Sequence, residues 1–426
     1  MDKFVIEGGK PLKGTLPVSG AKNASLPLMA AAILAPGIHT IENVPRLRDV
    51  RTMAHLLRII GARIDFEDGP SSVPSLVIDT SDCSFCEAPY ELVKTMRASI
   101  YVLGPLLARF GKVRVSLPGG CAWGPRPVDL HIMGMEKLGA QIEFEDGYIV
   151  ASAEKLRGDT ISFPIRSVGA TGNVMMAACL AEGTTILQNA ACEPEIVALA
   201  QFINAMGGHV KQAGSDQIVI EGVDQLHPAK FQNIPDRIEA GTFLSAVATT
   251  GGDVTLTNLR SDHLSVVLDG LERAGFSLEI QDTSVKIQSE GRAYPVDMKT
   301  APYPGFPTDM QAQWIALMSL ADGSCTMTDT IYTNRFTHVA ELQRLGADIR
   351  VEGNTALIRG VEQLKGAPVM STDIRASASL IIAGLAAEGR TDLSRVYHID
   401  RGYERIEEKL RLIGADIRRE DEPLQV

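Results

Sequence analysis

The stretch LPGGCAWGPRPVDLH, residues 117–131, is the least ordinary part of the chain. Gly119, Gly120 and Gly124 loosen it, Pro118, Pro125 and Pro127 forbid a helix, and Cys121 and Arg126 lie inside it. A cation beside a thiol lowers its pKa and makes it a better acid or nucleophile. The segment therefore reads as an active-site lid, or else as a surface loop with an incidental cysteine. Elsewhere arginines recur beside glycine and small residues, in segments unlike solvated helices. The net charge of −11 opposes non-specific binding to nucleic acid, and local cationic pockets on an acidic protein suggest small anionic ligands. Cys83 and Cys86 have the spacing of half a zinc site, but no second pair follows. His39, His55, His209, His227, His263 and His338 show no ligand spacing either, so no metal is expected.

A repeated framework must position these residues. Gly37, Gly111, Gly183, Gly252, Gly323 and Gly389 each end an apolar helix signal and lead into a β-branched stretch. Gly61, Gly139, Gly207, Gly275, Gly346 and Gly414 each end a second helix in the same way. All twelve stand where a helix must close in a left-handed residue before the chain reverses into a strand. A helix-strand-helix-strand unit thus recurs roughly every 70 residues. The helices before the first glycines, such as SLPLMAAAILA and RASASLIIAGLAA, are apolar on most faces and are predicted to be buried. VRTMAHLLRII alternates charge with an apolar stripe, as a solvent-facing cover does.

At 426 residues a single core would be oversized, so the six units are expected to divide three plus three. The expected domains are 22–233 and 1–21 plus 234–426. The chain would cross near 19–21 and again at the end of DQLHPAKFQNIPD, where periodicity fails. The strand KFVIEG, which precedes the first unit, is expected to complete the other half's sheet. Two crossings imply a cleft that closes. No apolar run reaches the roughly 18 residues of a membrane span. The start, MDKFVIEGGKPLKG, lacks a basic cluster followed by an apolar segment, and the six cysteines form no disulfide framework, so a cytoplasmic location is expected.

SGAKNASLP (19–27), LVKTMRAS (92–99), PGGCAWGPRPVDLH (118–131), SVGAT (167–171), FPTDMQAQ (306–313), NRF (334–336), RASAS (375–379) and HIDRGYERI (398–406) resemble, in the same order, the motifs of the UDP-N-acetylglucosamine 1-carboxyvinyltransferase family. The resemblance implies an inside-out α/β barrel fold, two domains of three α/β units with pseudo-threefold symmetry and an active site in the cleft between them. It implies transfer of the enolpyruvyl group of phosphoenolpyruvate to the 3-hydroxyl of UDP-N-acetylglucosamine, through a tetrahedral phospho-ketal, without a cofactor. Lys22, Arg97, Arg126, Arg335, Arg375 and Arg401, with Cys121, would then cage phosphoenolpyruvate, since guanidinium forks match carboxylate and phosphate. Lys22, Arg97 and Arg375 also precede small-residue helices whose N–H groups can assist with an anion.

The resemblance further casts Cys121, Asp309, Lys22 and Arg401 as catalytic. Asp309 would accept the sugar hydroxyl's proton, cap the helix MQAQWIALMSL, or do both. Cys121 would deliver the methylene proton, or capture phosphoenolpyruvate covalently and gate product release. Asn23, Arg97, Arg126, Pro127, Val128, Asp129, Leu130, His131, Ser167, Val168, Gly169, Asp309, Ile331 and Tyr332 would line the nucleotide-sugar site. The chain departs from the family in having Ile165 where many members carry lysine, with Arg166 as the candidate replacement, and in the bulk of Trp123. Asp236, Arg237, Glu193 and Glu195 either face the cleft or form structural salt bridges. Rival readings are the sister transferase acting on shikimate 3-phosphate, a silent nucleotide-sugar-binding paralogue, and a ring-shaped nucleic-acid clamp. The clamp is opposed by inner helices with almost no lysine.

Overall fold

A computed structural model describes residues 2–68, 74–117, 128–332 and 334–421. All twelve repeat glycines adopt positive φ, from 70° at Gly111 to 143° at Gly323. Gly61 shows why. The helix Arg48–Ile60 ends there at φ 110°, with the Gly61 N–H bonded to Arg58 O and the Ala62 N–H to Leu57 O. A Cβ at Gly61 would also stand 2.9 Å from Asp82 O.

The chain divides into two compact units, Gly20–Ile234 and Met1–Ser19 with Pro235–Val426. Among the described residues each contains three four-stranded sheets, and these six sheets share one order. In one of them Lys230–Gln232 runs parallel to Ile38–Glu42, which pairs antiparallel with Pro74–Asp79, which pairs antiparallel with Arg63–Asp68. The chain passes from one unit to the other just after completing an edge strand. Leu12–Pro17 pairs with Gly252–Thr257 before the chain enters the Gly20–Ile234 unit, and Lys230–Gln232 pairs with Ile38–Glu42 before it leaves. The strand Asp2–Glu7 lies between Arg390–Ser394 and Asp416–Asp421 and completes the sixth sheet.

The repeat signals become inner and outer helices. In the Gly20–Ile234 unit the inner helices Lys22–Ala31, Leu103–Phe110 and Val168–Ala178 pack together with the 3-10 turns Ala32–Leu34 and Arg97–Val102. In the other unit Arg237–Thr250, Gln311–Met318 and Ile374–Ala386 pack on one another. From Ala170 to Ala178 every residue is buried, which the alanine-rich sequence permits because small side chains let helices approach closely. Arg48–Ile60 instead buries Val50, Met53, Ala54 and Leu57 and exposes Arg51, His55 and Arg58, the stripe of a cover helix. Each unit thus has helices inside and sheets outside, around its own hydrophobic core. No described helix is long and apolar enough to cross a membrane.

Candidate active site

In the unit built from Met1–Ser19 and Pro235–Val426, three motif residues far apart in sequence meet. Asp309 lies in the 3-10 turn Thr308–Met310 that leads into Gln311–Met318, and no side chain caps either element. The expected N-cap role of Asp309 is therefore not realised. Its carboxylate instead reaches Arg375 Nη2 at 2.7 Å and Arg335 Nη1 at 3.0 Å. Burial pushes the Asp309 pKa up, but the Arg375 and Arg335 guanidiniums outweigh it and hold the group well below the usual carboxylate range.

Both arginines are braced from behind. Arg375 Nη1 donates to Tyr403 Oη at 3.2 Å, and that hydroxyl lies 2.8 Å from Thr242 Oγ1. Arg335 Nη1 donates to Thr308 Oγ1 at 3.1 Å, and its backbone carbonyl accepts from Gln311 Nε2 at 3.1 Å. Asp373 caps the helix Ile374–Ala386 by accepting from Arg375 N at 2.8 Å and Ala376 N at 3.1 Å. That corrects one expectation: the N–H groups thought available to a ligand at this helix start are taken by the protein's own carboxylate. Arg401 ends the 3-10 turn Val396–Arg401 and is half-buried; the preceding Asp400 is gripped by Arg419 at 2.9 and 2.5 Å. Ile331 and Tyr332 follow the buried Asp329, whose Oδ1 accepts from both of their N–H groups at 2.9 Å.

A second group forms in the Gly20–Ile234 unit. Lys22 opens the helix Lys22–Ala31 and sits 2.7 Å from Asp49 Oδ2, both side chains nearly buried. Asn23 follows it and is half-buried. His131, on the helix Asp129–Lys137, is buried, and its Nδ1 accepts from Asn173 Nδ2 at 3.0 Å. Asn173 also donates to Ile100 O and accepts from Gly104 N, so its amide orientation is fixed. Burial, and then the charge of Arg97, push the His131 imidazole down to about 3, so it is neutral with its proton on Nε2. That nitrogen faces Gly169, where a Cβ would stand 3.1 Å away; glycine admits the ring at the start of the helix Val168–Ala178. Ser167 caps this helix by accepting from Ala170 N. Val128 and Leu130 are buried, Asp129 is exposed, and Arg97 opens the turn Arg97–Val102. Ile165 and Arg166 are both exposed. Cys121, Trp123, Arg126 and Pro127 lie outside the described residues.

Asp236 is an N-cap, accepting from Ile238 N and Glu239 N. Glu195 is buried in the helix Pro194–Ala205, and Glu193 stands at that helix's N-cap. Sequence reasoning missed Asp49, Asp329, Tyr403 and Asn173. Among the described residues no cluster of three His, Cys, Asp or Glu side chains could hold a metal ion.

The family model described as EPSP synthase (3-phosphoshikimate 1-carboxyvinyltransferase) matches residues 6–410. A UDP-N-acetylglucosamine 1-carboxyvinyltransferase from Chloroherpeton thalassium is 57% identical over 99% of this chain and 97% of its own. One from Trichlorobacter lovleyi is 54% identical over 99% of this chain and 100% of its own. Among solved structures, the enolpyruvyl transferase NikO from Streptomyces tendae superposes with a TM-score of 0.88 at 26% identity, covering 99% of each chain. EPSP synthase from Acinetobacter baumannii, at 19% identity and TM-score 0.75 over 99% of this chain and 100% of that one, shares the fold.

Proposed function

The chain belongs to the UDP-N-acetylglucosamine 1-carboxyvinyltransferase family of enolpyruvyl transferases, and on that premise we propose that it moves the enolpyruvyl group of phosphoenolpyruvate to the 3-hydroxyl of UDP-N-acetylglucosamine and releases phosphate. This would be the first committed step of peptidoglycan synthesis, carried out in the cytoplasm. The hydroxyl oxygen adds to C2 of phosphoenolpyruvate while C3 takes a proton, giving a phospho-ketal. A proton then leaves C3, the double bond re-forms and phosphate departs with the C2–O electrons.

The observation that carries the reading is the Asp309 cluster. A carboxylate flanked by two guanidiniums offers one acceptor for a hydroxyl proton and two forks for the carboxylate and phosphate of the donor. While both arginines face Asp309 it is a weak base. When the donor's anions draw on the same guanidiniums, the restraint on Asp309 relaxes and its basicity rises. Lys22 and Arg401 supply further positive charge, Arg97, Asn23, His131 and the Ser167–Gly169 turn are assigned to the nucleotide sugar, and Cys121 is assigned the C3 proton. Incubation with both substrates followed by proton NMR tests the reading. It predicts two vinyl protons on a nucleotide-sugar product; unchanged substrates would contradict it.

A further inference from the structure

The carboxylate of Asp329, which sequence reasoning missed, is completely buried and collects four hydrogen bonds. Oδ1 accepts from Thr300 Oγ1 at 2.8 Å and from Ile331 N and Tyr332 N at 2.9 Å; Oδ2 accepts from Thr308 Oγ1 at 2.7 Å. A carboxylate only accepts, so the Thr308 proton is committed to Asp329 and the lone pairs of that hydroxyl turn outward. They meet Arg335 Nη1 at 3.1 Å, the same nitrogen that lies 3.0 Å from Asp309 Oδ1. Thr308 and Asp309, neighbours in sequence, thus hold one guanidinium nitrogen together.

The two contacts differ in kind. The bond to Asp309 is between opposite charges, and an arriving substrate anion competes for it. The bond to Thr308 is to a neutral acceptor with nowhere else to turn, so it persists when Asp309 is released. We propose that Thr308, oriented by Asp329, is the positioning residue that keeps Arg335 aimed at phosphoenolpyruvate, and that Asp329 fixes the Ile331–Tyr332 backbone from the same anchor. This rests on the proposed reaction. Without Asp329 the threonine proton can rotate toward Arg335 and oppose its N–H, and the Ile331 and Tyr332 N–H groups lose the side-chain oxygen that accepts from both.

The test compares Thr308→Val, Thr308→Ser and Asp329→Asn with the unaltered protein, by steady-state kinetics in each substrate, by calorimetric titration with phosphoenolpyruvate and by thermal unfolding. Thr308→Val is expected to raise KM for phosphoenolpyruvate, and weaken its binding, about tenfold, while kcat and KM for the nucleotide sugar stay within about threefold, since a hydrogen bond to a charged group is lost. Thr308→Ser keeps the hydroxyl and should restore the value; Asp329→Asn keeps Oδ1 for the Ile331 and Tyr332 N–H groups but turns an N–H donor on Thr308 Oγ1, so it should raise KM for phosphoenolpyruvate and leave that for the nucleotide sugar within about threefold. A Thr308→Val protein with unaltered affinity for phosphoenolpyruvate, or a serine variant as impaired as the valine one, would overturn the proposal. If Thr308→Val does not fold, Asp329→Asn decides: an unchanged KM for phosphoenolpyruvate overturns it. Unaltered protein that binds phosphoenolpyruvate but turns over no nucleotide sugar would refute the proposed reaction alone, leaving the titration to judge Thr308. Failure to bind phosphoenolpyruvate at all would refute both.

Discussion

Replacing Asp309 by asparagine separates two effects that the geometry sets against each other. A positioned general base contributes about 10²–10⁴ in rate, so kcat should fall by that factor, equivalent to ~3–5 kcal/mol in the barrier. The same change frees Arg335 and Arg375, whose side chains are only 9% and 7% exposed, from a carboxylate 3.0 and 2.7 Å away. Phosphoenolpyruvate then no longer competes with Asp309 for those guanidiniums. Asp309 keeps 26% of its side chain exposed, so solvent screens the pairing. The competition removed is therefore ~1 kcal/mol, and binding should tighten about fivefold. Stopped-flow or steady-state rates give kcat, and calorimetric titration gives the affinity. A kcat within about threefold of the unaltered protein would refute Asp309 as base. Binding weakened about tenfold would refute the competition, because it would mean that Asp309 holds the arginines in place for the substrate rather than against it.

Three further outcomes follow from the packing. Asp49→Asn leaves Lys22 nearly buried beside a neutral partner 2.7 Å away and should cost ~3 kcal/mol of stability; an unshifted urea midpoint would contradict this. Gly139→Ala meets no neighbouring atom and should lose only the left-handed penalty of ~1–2 kcal/mol, whereas Gly61→Ala also drives a Cβ to 2.9 Å from Asp82 O and should lose more. Equal losses by urea titration would refute the distinction. His131 and His338 are pushed by burial from 6.5 to about 3 and about 4. The unfolded chain therefore takes up these protons first as pH falls below 6.5. Stability should drop between pH 6.5 and 5 by up to ~1.4 kcal/mol per unit for each histidine, and a flat profile in denaturation at those two pH values would contradict it.

The framework was legible because each repeat glycine answers a local demand, a left-handed residue at a helix end, that a sequence shows directly. Asp236, expected either to face the cleft or to form a salt bridge, is an N-cap, a signal that an aspartate just before a helix carries on its own. The partners of the motif arginines were not legible. Arg375 and Asp309 stand 66 residues apart, and only the packing of Gln311–Met318 against Ile374–Ala386 brings them together. Asp49 looks like any first-turn acid of an exposed helix until Lys22 is seen beside it. Asp329 carried a faint signal: an aspartate whose oxygen accepts from the N–H groups two and three residues on is an Asx turn, which the TDTIY sequence permits.

The most direct measurement is phosphate release from phosphoenolpyruvate by the purified protein, run in parallel with UDP-N-acetylglucosamine and with shikimate 3-phosphate as acceptors. Release with the nucleotide sugar alone is the predicted result. Release with shikimate 3-phosphate alone, or with neither acceptor, would contradict the assignment.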